Sequence, residues 1–413
     1  KPRANLMKCR HCGAELEISF LDLGVAPPSN AYLSAADLRA PEKWYPLRVM
    51  VCGECRLVQT EDYTCADELF RPDYAYFSST STTWLEHAAA YCAMIRRRLS
   101  LNGNSMVIEV ASNDGYLLKN FVAGDIPCLG IEPTDSTADA AERLGVPVLR
   151  EFFGEPLGKQ LASENRQADL IIGNNVYAHV PDINDFTAGL KAALKHGGTV
   201  TLDFPHLMNL IVQCQFDTVY HEHFSYLSLC TVDRVFAKAG LRIYDVEKLP
   251  THGGSLRVYG CHADDLRPAS PAVNDLLEEE GQEGLRNMDV YRSFQGRADK
   301  IKDDLLMFLI GQKRLGKSVV AYGAAAKGNT LLNYAGIKPD LLPFVCDAAP
   351  SKQGKFLPGS HIPIFAEDVI KKKKPDIILI LPWNISNEIV DQLSYIRKWD
   401  GKFAVAVPAL TIC

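Results

Sequence analysis

Two C-x-x-C pairs, Cys9-Arg-His-Cys12 and Cys52-Gly-Glu-Cys55, stand about forty residues apart near the start of the chain. A hairpin of this spacing points both thiolates at one corner of a tetrahedron, and a second hairpin completes a closed site of four thiolates. Four protein ligands leave no coordination position for water, so the expected metal is a structural zinc. His11, between the first pair, is a possible substitute ligand, and two unrelated redox pairs are the alternative reading. The other eight cysteines (Cys65, Cys92, Cys128, Cys214, Cys230, Cys261, Cys346, Cys413) are scattered singly and read as small apolar residues. The first ~70 residues carry only short apolar stretches, broken by turns such as Pro27-Pro28. A metal staple would compensate for so small a core.

The 413 residues imply two to four domains at about 150 residues each. Hydrophobic residues make up 47% and charged residues 23%, which excludes a disordered chain. A net charge of −6 gives no footing for nucleic acid or an anionic membrane. No apolar run approaches the ~18 residues needed to span a bilayer, and no secretory leader is evident. The expectation is a cytoplasmic, monomeric protein.

After an amphipathic helix over 82–99, strands and helices alternate. Strands are expected at 106–111, 128–131, 146–149, 169–173 and 199–203, with helices at 115–121 and 138–144. This alternation implies crossover units and a parallel sheet. Segments 240–249 and 255–261 suggest a hairpin closing that sheet. A polar helical stretch over 273–314 leads to a second αβ unit, with strands near 318–323, 344–346, 377–381 and 403–407. The lysine run 371–374 reads as a solvated helix end.

Val107-Ile-Glu-Val-Ala-Ser-Asn-Asp-Gly115 is a strand entering a glycine-containing turn and a helix, so backbone N–H groups face a ligand. Glu132-Pro133 ends the next strand, where an acid accepts the hydroxyls of a ribose. The turn lacks G-x-G-x-x-G and carries Glu109 and Asp114. Acids suit the cationic, phosphate-free S-adenosylmethionine better than NAD. The candidate cofactor set is Glu109, Ala111, Asn113, Asp114, Gly115, Glu132, Pro133, Phe153, Asn174 and Asn175. Phe152-Phe153 either sandwiches adenine or belongs to the core, and Asn174-Asn175 ends the fourth strand.

Tyr220-His221-Glu222-His223-Phe224-Ser225-Tyr226 is the densest run of acid–base groups. General acid–base work is its expected role, because a histidine beside a carboxylate is poised near neutral pH. A metal-binding H-x-H and a purely structural polar loop are the alternatives. In Tyr322-Gly-Ala-Ala-Ala-Lys327-Gly-Asn329 a strand opens into a helix, where amides, Lys327 and Asn329 can meet a phosphate. An ordinary strand-to-helix turn is the alternative. His252 and Asn384 are further candidates for the same ligand.

The cysteine knuckles, EVASNDG, GIEP, NNVYAHVPD, YHEHFSYLS, PTHGGSLR, YGAAAKGNTLLN and LPWN occur in this order along the chain. This ordered set resembles the nucleotide-sugar C-3′-methyltransferases of deoxysugar biosynthesis, which make the branches of kijanose-, tetronitrose- and mycarose-type sugars. The resemblance implies an α/β protein of three domains. These are a zinc-binding domain (1–75), a class I Rossmann-like S-adenosylmethionine methyltransferase domain (76–265) and a Rossmann-like αβ domain holding the nucleotide-sugar (266–413). It further implies active-site roles for Tyr220, Glu222 and His223, with Tyr76, Asn175 and His179 matching other family positions. The expected substrate is a nucleotide-linked 4-keto-deoxysugar on a dTDP or GDP carrier.

The chemistry fits these residues. A 4-keto group acidifies the C-3 hydrogen by delocalising the carbanion onto oxygen. His223 would take that proton, Glu222 would orient or balance it, and Tyr220, Tyr76 or His179 would donate to the enolate oxygen. Two other classes compete with this reading: an O- or N-methyltransferase acting on a sugar nucleotide, which needs no enolate, and a non-catalytic nucleotide-sugar-binding protein.

Overall fold

A computed structural model describes residues 7–61, 78–80 and 82–413. Tyr76 lies outside the described residues. Three sheets organise the rest.

The first sheet is antiparallel and contains β1 (Ile18–Ala26), β2 (Tyr45–Val51) and β3 (Val58–Thr60). Its fourth strand comes from far along the sequence.

The second sheet has seven strands. They are β4 (Val107–Val110), β5 (Cys128–Ile131), β6 (Val148–Leu149), β7 (Ala168–Asn174), β8 (Leu194–Pro205), β10 (Leu241–Leu249) and β11 (Ser255–His262). Their spatial order is β10-β11-β8-β7-β4-β5-β6. Strands β6, β5, β4, β7 and β8 run parallel, and the β10–β11 hairpin closes the edge antiparallel to β8. This is the sheet of class I methyltransferases. VIEV and CLGI are buried at every position, as expected for central strands covered on both faces.

The missing strand of the first sheet is β9 (Ser225–Tyr226), which pairs with β3 through Val58↔Tyr226 and Gln59↔Ser225. The acid–base segment is therefore bound into the cysteine domain's sheet. One apolar cluster joins Phe20, Val49 and Val58 of that sheet to Phe216, Tyr226, Leu305 and Val345. The N-terminal domain thus shares its core with both other parts of the chain.

The third sheet, in the order β14-β13-β12-β15-β16-β17, contains β12 (Val319–Tyr322), β13 (Val345–Cys346), β14 (Ile364–Phe365), β15 (Ile377–Ile380), β16 (Lys402–Val405) and β17 (Thr411–Ile412). It is parallel except for β17.

Two local expectations need correction. The helix expected over 115–121 is mostly a chain of tight turns, and helix forms only at Lys119–Val122. Ala111, Asn113 and Gly115 all have positive φ (56°, 51°, 76°), so the chain spends these residues turning around the strand tip. A Cβ at position 115 would also sit 3.0 Å from Ala141, which leaves only glycine there. The stretch over 273–314 forms three helices, Pro271–Gln282, Met288–Arg292 and Phe294–Arg314, broken where Gly284 turns left-handed. The lysine run caps helix Asp368–Lys373, with Lys371 and Lys372 paired to Glu367 and Asp368, a solvated helix end.

Candidate active site

The four knuckle cysteines converge, with all sulfurs within 4.8 Å of one another. Cys9–Cys55 and Cys12–Cys52 are each 3.5 Å apart. A tetrahedron with zinc–sulfur bonds of about 2.3 Å has edges of about 3.8 Å, so the sulfurs fit zinc with small adjustments. The Cys55 thiol shares one proton with Cys9, which lowers Cys9 and raises Cys55, as expected of two sulfurs brought this close without a cation between them. Gln59 Nε2 donates to Cys9 Sγ at 3.3 Å from the strand that pairs with β9. His11 is turned away, its Nδ1 bonded to Asn184 Oδ1 at 2.8 Å, so it docks the knuckle on helix Ile183–Ala193.

At the tips of β4 and β5, three acids crowd one crevice. Glu109 is buried with Oε2 unpartnered, and burial followed by repulsion from Glu132 and Asp114 holds it well above the carboxylate range. Asp114 Oδ1 is likewise buried and unpartnered. Glu132 accepts from the backbone N–H groups of Asn113 and Thr134, each at 3.0 Å, so it shapes the turn while keeping lone pairs for hydroxyls. A cationic ligand bearing a ribose fits this concentration of acceptors. Pro133 follows Glu132 and is half-buried, and Asn174 stands beside the Tyr116 hydroxyl. Asn175, at φ 52°, donates its N–H to Asp203 O at 2.7 Å. Phe153 packs edge-on against Phe186 at 5.3 Å, as a core residue does. Replacing Glu132 by Ala removes both an acceptor and the clasp on the Asn113 turn. S-adenosylmethionine affinity should fall by roughly 1–3 kcal/mol, measured by calorimetry.

The acid–base residues gather between the sheets. The His223 ring lies 4.0 Å from Tyr220 and 4.6 Å from His179, centroid to centroid. Its Nδ1 is 3.2 Å from Thr218 O. A carbonyl only accepts, so Nδ1 carries the proton and Nε2 keeps its lone pair. Burial, then the nearby His179, holds His223 well below the ordinary imidazole range, so it is neutral with Nε2 unprotonated. His179 is fixed in the same tautomer by Glu222 O at 2.9 Å. Neutral in this tautomer, its Nε2 accepts and does not donate, which removes His179 from the expected donors to an enolate. Burial raises Glu222 to about 7. His221 points the other way, 3.2 Å from Pro46 O.

The C-terminal αβ domain reaches the same place. Lys327, on helix Ala326–Tyr334, donates to Asn384 Oδ1 at 2.6 Å and lies 4.5 Å over the Trp383 ring. Its charge is felt at His223 and His252. His252 sits at φ 56° in the Gly-rich hairpin turn, with its ring 5.5 Å from Trp84. Asn329 does not face this space. It is buried, and its Nδ2 donates to Ser29 O at 2.6 Å, so it tethers the first domain to the third.

Several residues here carried no sequence signal. Asn30 Nδ2 donates to both Glu222 oxygens (3.3 and 3.1 Å) from the loop after Pro27-Pro28. Trp383 Nε1 donates to Asp217 Oδ2 at 2.8 Å, and burial raises Asp217 to about 6. Trp84, His87 and Tyr116 form an aromatic wall near the cofactor crevice. Lone aromatics and asparagines are too common to stand out; only the LPWN motif marked one of them.

Known proteins agree with this layout. Family models match in three consecutive blocks: a zinc binding domain over 9–70, a methyltransferase domain over 84–246 and a C-methyltransferase C-terminal domain over 250–408. C-methyltransferase NovU of Streptomyces niveus is 32% identical over 401 residues, covering 97% of this chain and 95% of that protein. Among solved structures, magnesium protoporphyrin IX methyltransferase of Synechocystis PCC 6803 aligns with 43% of this chain and 83% of its own, at 12% identity and TM-score 0.36. The PH0226 protein of Pyrococcus horikoshii OT3 aligns with 49% and 100% at 12% identity and TM-score 0.38. Matched along nearly its whole length, the chain belongs to the C-methyltransferase family, as an S-adenosylmethionine-dependent enzyme with a zinc-binding N-terminal domain.

Proposed function

We propose that this enzyme methylates C-3 of a nucleotide-linked 4-keto-deoxysugar by removing the C-3 proton and alkylating the resulting enolate. The observation that carries the reading is His223, a buried neutral imidazole whose tautomer leaves Nε2 basic, beside Tyr220 and within the field of Lys327. His223 Nε2 takes the C-3 proton, and the C–H electron pair moves onto the ketone oxygen. Among the described residues, the Tyr220 hydroxyl beside His223 can donate to that oxygen. Tyr76 remains a candidate through the resemblance. Glu222, held by Asn30, fixes the loop that carries His223. When bound, S-adenosylmethionine supplies the electrophilic methyl, and the acidic crevice of Glu109, Asp114 and Glu132 would hold it. If the methyl arrives on the face away from His223, C-3 inverts.

The nucleotide diphosphate falls to the C-terminal αβ domain, with Lys327, Asn384 and His252 nearest the sugar. Lys327→Ala is expected to raise the Michaelis constant of the sugar nucleotide by about tenfold or more, since hydrogen bonds to charged groups contribute about 1.5–3 kcal/mol. An unchanged constant would move the phosphate elsewhere.

Two measurements test the function. Sugar nucleotides with dTDP or GDP carriers are offered with a labelled methyl donor, and C-3 of each is followed for deuterium wash-in from solvent. Methylation at carbon together with wash-in supports the proposal. Methyl transfer to oxygen or nitrogen without wash-in would replace it, and absence of turnover on every candidate would place the substrate outside this class.

A further inference from the structure

Among the described residues, His206 and Glu280 form a buried ionisable pair to which the mechanism above gives no role. His206, directly after β8, is 1% exposed, and so is Glu280 of helix Pro271–Gln282. His206 Nε2 lies 2.8 Å from Glu280 Oε1. Glu280 also accepts from the N–H groups of Leu229 (2.6 Å) and Cys230 (2.9 Å), at the start of helix Leu229–Ala239. Each Glu280 oxygen already accepts a backbone N–H, so His206 Nε2 is the donor to Oε1 and its Nδ1 is left with a lone pair.

That Nδ1 is buried and unpartnered, as are His223 Nε2 and Ser225 Oγ. His206, His223 and Ser225 line one small cavity of about 20 Å³. A cavity of this size admits one water, and a buried water needs two to four polar partners. Four of its lining residues, His206, His223, Ser225 and Tyr226, each carry a buried polar atom without a partner, which meets that need.

We propose that a single water held by His206 Nδ1, Ser225 Oγ and His223 Nε2 resets the catalytic histidine, with His206 as its positioning residue and proton acceptor. This inference rests on His223 being the base at C-3. Taking that proton leaves His223 as an imidazolium, and the enzyme cannot turn over again until the proton leaves. Nε2 is engaged with the sugar during abstraction, so the transfer follows once the product has moved off. The imidazolium N–H then gives its proton to the water oxygen, while the water gives one of its own to His206 Nδ1. The water is regenerated and His223 is neutral again, and the His206 imidazolium, held by Glu280, gives the proton to solvent water while the site is open for product release, so that every group returns to its starting state.

The experiment compares the first turnover with later ones. In His206→Ala, methyl transfer in a single turnover and the Michaelis constant should stay within about twofold of wild type. Steady-state turnover and C-3 deuterium wash-in should both fall by about tenfold or more, because wash-in requires the abstracted proton to reach solvent. Added imidazole should restore both. Glu280→Gln, which keeps size and one acceptor oxygen for His206 and Leu229 but loses the bond from Cys230 N–H, should slow the same two readouts without imidazole rescue, and serves if His206→Ala does not fold. Wild-type wash-in in folded His206→Ala or Glu280→Gln would overturn the relay. A first turnover slowed as much as the steady state would also overturn it, by placing His206 in structure alone. Wash-in that survives in His223→Asn would instead overturn the assignment of the base.

Discussion

His223→Asn is expected to fold, to bind both ligands and to lose about 10²–10⁴ of its turnover, the usual contribution of a positioned general base. Asparagine keeps a polar side chain of similar reach, and its Nδ2 can still donate to Thr218 O, so the loop should hold its shape. It offers no basic nitrogen in the place of Nε2. Single-turnover methyl transfer and deuterium wash-in at C-3 should fall together. His221→Asn should be far milder, because its ring is bonded toward Pro46 and lies away from the cluster. Glu222→Gln should fall between the two. The acid limb of the wild-type profile is expected near pH 7, where buried Glu222 ionises, since His223 protonates only well below the ordinary imidazole range. In Glu222→Gln that limb should disappear. Near-normal turnover in His223→Asn would move the base role to another group of the cluster.

Removing the zinc should be as damaging, through structure. Structural zinc contributes about 10–16 kcal/mol of apparent binding free energy in small zinc-dependent domains, and here it holds a sheet with a modest core of its own. Cys52→Ser, or a strong chelator, is expected to release one metal equivalent, lower the melting temperature and abolish turnover. Elemental analysis, thermal melts and activity assays on the same sample check this. The route to the chemistry is short. Cys9 accepts from Gln59, Gln59 pairs with Ser225, and Thr60 Oγ1 donates to His223 O at 3.3 Å. Full activity in metal-free protein would show that the knuckles only decorate the fold.

The sequence spoke clearly where one residue type repeats at fixed spacing. The knuckles announced their site, and VIEV and CLGI announced central parallel strands, because burial on both faces leaves no choice of side chain. Within the acid–base run, spacing could not separate His223 from His221, since residues two apart share a face of an extended segment; the turn closed by His223 N–H on Tyr220 O is what points them apart. Nor could spacing reveal the tautomer of His179, which is set by a carbonyl forty-three residues away. Asn30, Asp217 and His206 escaped notice for the same reason: each acts through a partner distant in sequence. Asn329 misled, because the strand-to-helix turn that suits a phosphate also suits a tether to Ser29. Helix 115–121 misled because the turn that exposes backbone amides consumes the residues that would have formed its first coil.

Strand β9 also dictates an order of assembly. Its partner β3 is made about 165 residues earlier, and closing so long a loop costs several kcal/mol of chain entropy before any contact forms. As the chain emerges during synthesis, β3 is an open edge, free to pair with any strand nearby. The metal-bound knuckles can fold first and present that edge ready-made, so the late segment meets a template instead of a coil. The catalytic histidine thus reaches its place only after the chain has returned to where it began.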